Sequence, residues 1–205
     1  MNRRELLKEA GVATAAVSLL AAGEAHAQAP AAANVLIVYH SVTGNTEKMA
    51  QGVAEGAKGV SGTNVVMKKV GEVTADDLLA ANALIVGSPV YYTNMSGEVK
   101  TFFDNWLLKY KFPFRDFKMR NKVGGVFVTG GAISNGKETT MAAMLAAMLI
   151  NQMIVVSGGG AFGASATTGP DFKTPPGIDD KDLATARDLG KRVAEVAVVT
   201  KRGSA

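Results

Sequence analysis

Apolar and polar residues fall along the chain in alternating blocks. Val35-Leu36-Ile37-Val38-Tyr39 is a short, largely β-branched run bounded by turn residues, as in a strand buried on both faces. From residue 45 to 58 the apolar positions Met49, Val53, Ala54 and Ala57 recur at helical spacing. Residues 59–62 break that pattern, and residues 64–70 read as a second strand. Thr74 suits a helix N-cap, with Asp76 and Asp77 in the first turn of a short helix ending at Ala81. Ala83-Leu84-Ile85-Val86-Gly87 is a third strand, followed by a helix over about 96–109. Residues 123–128 form a fourth strand, 137–150 a Met- and Ala-rich helix, and 153–156 a fifth strand. A closing helix runs over about 179–200, with Leu183, Ala186, Leu189, Val193 and Val196 on its apolar face.

Five strands alternating with helices predict an α/β fold, a doubly wound parallel sheet covered on both faces. Right-handed crossovers restrict its topology. There is no internal repeat and no sign of a second domain. Two connections, 110–122 and 158–178, have the length of functional loops. The second is rich in Gly, Pro and Thr, which equally suits a plain surface loop.

The first thirty residues are patterned differently. Asn2-Arg3-Arg4-Glu5-Leu6-Leu7-Lys8 precedes an apolar run over 10–22, then Ala25-His26-Ala27. A basic start, an apolar middle and a small-x-small end are the layout of a secretory signal peptide. The apolar run is shorter than the about 20 residues a spanning helix needs. Arg3-Arg4 with Leu6-Leu7-Lys8 resembles a twin-arginine export signal; an ordinary secretory signal or a free amphipathic helix are the alternatives. The expected division is a signal peptide over 1–27, a linker over 28–33 and one domain over 34–205. Cleavage near Ala27 would leave a periplasmic or otherwise exported protein with no stable membrane anchor.

Composition narrows the chemistry. The 205 residues are 47% hydrophobic and 20% charged, which is not a disordered chain. There is no cysteine, hence no disulfide, thiolate metal site or cysteine nucleophile. The two histidines, His26 and His40, are too few for a histidine-rich zinc site, and no metal site is expected. The net charge of +4 is carried by scattered Lys and Arg, so no nucleic-acid partner is expected. In the leader Arg3, Arg4 and Lys8 balance Glu5, Glu9 and Glu24, so its removal leaves the charge unchanged.

Ligands of an open parallel sheet bind beyond the carboxyl ends of its strands. After the first strand comes His40, then Ser41-Val42-Thr43-Gly44-Asn45-Thr46, a short hydroxyl-rich loop opening a helix. Its backbone N–H groups, the hydroxyls of Ser41, Thr43 and Thr46, and the Asn45 amide suit an anion without any Lys or Arg. It has neither the Lys of a nucleotide P-loop nor the G-x-G-x-x-G spacing, which leaves a phosphomonoester as the expected ligand. A well-capped helix start is the alternative. The six residues resemble the S/T-x-T-G-N-T loop of the flavodoxin-like family, which holds the phosphate of FMN.

After the third strand come Pro89-Val90-Tyr91-Tyr92-Thr93-Asn94, two aromatic rings and an amide in one loop, suited to flanking a flat heterocycle. The run over 87–104 is similar to the signature of WrbA-type NAD(P)H:quinone oxidoreductases and their FMN reductase relatives. Phe102, Phe103 and Trp106 on the following helix read as core. After the fourth strand, Thr129-Gly130-Gly131 and the stretch to Asn135 allow backbone to approach a ligand closely. In the resembled family the equivalent loop cradles the flavin ring edge and ribityl chain. The resemblance runs over about 34–202.

The resemblance implies a flavodoxin-like five-stranded sheet of order 2-1-3-4-5 and FMN as cofactor. It further implies NAD(P)H as co-substrate and a small-molecule quinone or a protein redox partner as acceptor. The chemistry lies on FMN, so no catalytic protein residue is assigned. Thr129 or a backbone N–H would stabilise the reduced ring edge, and Tyr91 or Tyr92 would stack with substrate. Relatives assemble as dimers or tetramers, which the resemblance implies here as well. Where relatives often carry a histidine near the ring, this chain has Ile150-Asn151-Gln152. The alternatives are an exported flavodoxin-like electron carrier, to which a basic chain is poorly suited, and a flavin-free binding module.

Overall fold

A computed structural model describes residues 32–113, 115–169 and 177–203. The expected leader, most of the expected linker and part of the 158–178 connection lie outside those residues. The elements in chain order are β1 (Ala33–Tyr39), α1 (Asn45–Lys58), β2 (Thr63–Lys69), a 3-10 turn (Val70–Glu72), α2 (Ala75–Ala80), β3 (Ala83–Tyr91), β4 (Asn94–Met95), α3 (Gly97–Leu108), β5 (Val123–Gly130), α4 (Lys137–Ile150), β6 (Ile154–Val155), β7 (Ala164–Thr167) and α5 (Asp180–Arg202).

The sheet is parallel in the order β2-β1-β3-β5, with β6 and β7 both on the far side of β5. This is the doubly wound α/β order expected, with two differences. β3 does not stop at Gly87 but continues to Tyr91 and turns back through β4 as an antiparallel hairpin. Pro89, Val90 and Tyr91 are therefore strand residues, not loop residues. The fifth strand is split: β6 pairs with Val123 and Gly124, β7 with residues 127–130, so the 158–178 connection itself supplies a strand. Ala164-Ser165-Ala166-Thr167 has only one β-branched residue, and its pairing with β5 overrides that weak local preference.

Each face of the sheet buries its own layer. On one side Ile37, Met49, Val53, Phe127, Leu189 and Val193 pack α1 and α5 onto the sheet. On the other, Leu36, Val38, Leu78, Phe102, Met144 and Met148 pack α2, α3 and α4. Phe102, Phe103 and Trp106 are core residues, with ring centroids 5.3–5.8 Å apart. β1, β3 and β5 are buried along nearly all their length, so the loops at their carboxyl ends are mounted on core strands.

Candidate functional site

Three loops leave the carboxyl ends of the adjacent strands β1, β3 and β5. The first opens α1. Its N-cap is Gly44 at φ 87°, a left-handed conformation that glycine adopts without strain, and no side chain caps the helix. The donors of the first turn are therefore not closed off by the chain, and the helix dipole adds positive potential there. Ser41 carries a buried hydroxyl with no hydrogen-bond partner. Thr43 accepts from the Asn45 side-chain amide at 3.1 Å. Thr46, itself buried, shares a 2.8 Å hydrogen bond with Thr129 at the end of β5, tying the first loop to the third. Val42 points outward, 72% exposed.

The second loop is braced by Ser88, whose hydroxyl donates to the Pro89 carbonyl at 2.7 Å and accepts from Ser96 N–H at 2.9 Å. Val90 goes into the core; its side chain serves packing and only its backbone borders the loop. Tyr92 and Thr93 form the hairpin turn at φ 48° and 65°, an uncommon conformation for an aromatic and a β-branched residue. Tyr91 is 38% exposed and Tyr92 fully exposed. Asn94 bends its side chain onto Met95 N–H at 2.8 Å.

The third loop, residues 131–136, follows Gly130 and ends at Gly136, the N-cap of α4. Gly136 has φ 88° and no side-chain cap, and a Cβ there would lie 2.7 Å from Thr93 Cα. The third loop thus presses against the Tyr92–Thr93 turn, and Thr139 Oγ1 donates to the Thr93 carbonyl at 3.2 Å. The Asn135 amide, oriented to satisfy its surroundings, donates to Ala132 O and accepts from Gly131 N–H, which holds the loop shut on itself. The Gly130 carbonyl accepts from Thr168 N–H at 2.8 Å. Ile133 is 78% exposed.

Each loop therefore presents one large exposed apolar side chain, Val42, Tyr92 or Ile133, beside polar groups, as a flat, amphipathic ligand requires. The uncapped α1 start and the unpartnered Ser41 hydroxyl suit the phosphate of FMN. Of the expected site residues, Ser41 to Thr46, Tyr91 to Asn94, Thr129 to Gly131 and Asn135 lie on or beside the three loops. Asn151 instead ends α4, donating to the Ala147 carbonyl at 2.8 Å.

Two polar features were not singled out by motif. His40 Nε2 lies 3.6 Å from Glu98 Oε2, joining the end of β1 to the first turn of α3. Lys137 is buried at the start of α4, with its ammonium on Thr167 Oγ1. A histidine at a strand end was the only available signal for the first. The second has none, since Thr167 lies in a stretch that reads as loop.

Residues 33–168 match the family model described as NADPH-dependent FMN reductase. The chain belongs to the NADPH-dependent FMN reductase family. Among relatives of this family, an NAD(P)H dehydrogenase (quinone) from Archaeoglobus fulgidus is 31% identical over 203 residues, covering 80% of this chain and 97% of the relative. One of the same description from Geotalea daltonii is 29% identical, covering 80% and 96%. The crystal structure of a flavodoxin, WrbA-like protein from Agrobacterium tumefaciens superposes with a TM-score of 0.68 at 29% identity, over 82% of this chain and 99% of that one. A flavodoxin from the domain Archaea, with a TM-score of 0.62 at 22% identity, covers 80% and 99% and shares the fold.

Proposed function

We propose that this FMN reductase family member binds FMN in the three-loop site and transfers two electrons from NAD(P)H to a quinone. The observation that carries the reading is the α1 start, uncapped by any side chain and adjoined by the buried, unpartnered Ser41 hydroxyl. When bound, FMN supplies the hydride chemistry. Ser41, Thr43 and Thr46 with the α1 backbone hold the phosphate. Thr129, fixed by Thr46, stands by the ring edge. Tyr91 and Tyr92 would flank the bound ring and offer surfaces on which donor and acceptor could stack. The names of the Archaeoglobus and Geotalea relatives support quinone as acceptor.

The decisive test is the visible spectrum of purified protein loaded with FMN, before and after NAD(P)H, then after benzoquinone. Bleaching by NAD(P)H and recovery with quinone is expected. Flavin that binds but is not bleached turns the reading to the electron carrier served by a protein partner.

The finer parts of the reading concern export and assembly. Residues 1–27 act as a twin-arginine signal, and the mature protein is periplasmic; Arg3→Lys with Arg4→Lys should retain it in the cytoplasm. Copies associate as dimers or tetramers through the groove between α3 and α4, about 710 Å³ and lined by Met95, Phe103, Leu107 and Ile150. Leu108, which also lines it, and Leu149 are exposed. Leu108→Glu should shift the sedimentation of the mature protein toward monomer.

A further inference from the structure

Quinone reduction consumes a proton as well as electrons: NAD(P)H, a quinone and H⁺ give NAD(P)⁺ and a hydroquinone. The hydride carries two electrons and one proton. The second quinone oxygen to become a hydroxyl needs a proton from elsewhere. Resting on the function proposed above, we infer that His40 donates that proton and that Glu98 positions and recharges it.

The placement follows from the fold. His40 is the first residue after β1, its backbone N–H fixed by a 3.2 Å hydrogen bond to the Gly87 carbonyl on β3. It directly precedes Ser41, at the root of the first loop. Of its two ring nitrogens, Nε2 is sealed in and makes no hydrogen bond, 3.6 Å from Glu98 Oε2. The imidazole side chain as a whole keeps 17% of its surface open. One nitrogen against a carboxylate, with part of the ring still open to solvent, orients an imidazole for proton transfer.

Glu98 is anchored in turn. It lies in the first turn of α3, and its own backbone N–H, the His40 charge and the Ser96 hydroxyl together hold its carboxyl below the usual range against the opposing effect of burial. It therefore stays ionised at neutral pH. Its side chain is 54% exposed, which gives the pair an outlet to bulk water. The groups coupled to this pair are Glu98 from α3 and, through it, Tyr91 at the end of β3. Burial and the Glu98 charge push the Tyr91 phenol up, so Tyr91 remains neutral and does not compete as a charge.

The proton step balances simply. The imidazolium N–H bond breaks as the quinone O–H bond forms, and neutral His40 then recovers a proton from solvent by way of Glu98. An imidazolium donor loses effectiveness as pH rises, so the quinone-dependent rate should fall with rising pH.

The test uses the FMN-loaded protein reduced chemically with dithionite, then mixed with benzoquinone while visible absorbance is followed across pH. Because NAD(P)H is absent, this readout is independent of the donor. Failure of NAD(P)H to bleach the wild type counts against the proposed function, whereas the His40 inference is decided by the dithionite arm. His40→Gln should slow reoxidation at least about 10-fold and flatten the pH profile. His40→Ala should regain rate when imidazole is added. Glu98→Gln should slow reoxidation and change the pH profile, since the carboxylate that positions the imidazole is lost. The ¹³C chemical shifts of the His40 ring should also differ between wild type and Glu98→Gln. Wild-type rate and profile in His40→Gln overturn the inference. If that variant does not fold, an unmoved profile and unmoved ring chemical shifts in Glu98→Gln overturn it instead.

Discussion

Helices α1 and α4 begin differently from α2, α3 and α5. The last three start at Thr74, Ser96 and Asp179, and each side chain accepts from the backbone N–H three residues on, in Asp77, Val99 and Asp182. The first two start at Gly44 and Gly136, both left-handed, with no side-chain cap. Every helix leaves its first N–H groups without partners inside the helix. Where the chain supplies a cap, that end is finished on folding. Where it supplies glycine, the donors and the positive end of the dipole remain for something else. In this molecule the two open starts follow β1 and β5, two of the three loops whose sequence resembles flavin loops; the third, after β3, leads into the capped start of α3. Helix starts thus separate into two kinds: one finished by the chain's own side chains, the other left open, where the function proposed above puts the ligand.

That separation can be broken at four places, in decreasing order of effect. Gly136→Val combines a β-branched residue at φ 88° with a contact 2.7 Å from Thr93. It should cost about 3 kcal/mol in urea unfolding and displace the Tyr92 turn, abolishing FMN binding. Ser41→Ala should have opposite signs in the two states. Removing a buried hydroxyl without a partner leaves the FMN-free protein as stable or slightly more so, while FMN affinity by fluorescence quenching falls about 10-fold. Thr74→Ala, at a capped start, should cost about 1 kcal/mol of stability and leave the FMN dissociation constant unchanged. A loss of affinity there would contradict the separation.

The smallest effect is one of pH. Burial raises the Asp77 carboxyl, but hydrogen bonds from Lys68 and Thr74 outweigh it and leave the group below its ordinary value. A carboxyl depressed in the folded state adds stability that is complete above its unfolded value of about 3.9 and is lost as pH falls through the folded one. Asp77→Asn should therefore lower the urea midpoint at neutral pH by less than about 1 kcal/mol equivalent, and the difference from wild type should vanish in strong acid.

Much of this was legible in the chain. The Thr74 cap with its acidic first turn, and the hydroxyl-rich run at Ser41 to Thr46, are local signals that depend on neighbours within four residues. Strands β1, β3 and β5 were legible because burial on both faces demands continuous apolar runs. What escaped was set by distant contacts. β7 exists because it pairs with β5, and Val90 turns inward because β3 continues beyond Gly87. The positive φ values of Tyr92 and Thr93 have no glycine to announce them; the press of Gly136 and the Thr139 hydrogen bond accompany them. His40 and Glu98 are separated by most of two βα units, and no spacing rule joins them.

The divided strand beside β5 bears on how the folded protein behaves in company. The edge of a sheet offers unpaired backbone groups on which another chain can extend it. On one edge of this sheet, β2 carries Lys68 and Lys69 near its end. On the other, β6 has two residues and β7 four, at different heights along β5. A visiting strand finds no long template there. The irregular crossing between the two pieces thus acts as a guard against aggregation, and a variant with β6 and β7 fused into one continuous strand should fold but precipitate at concentrations the natural chain tolerates.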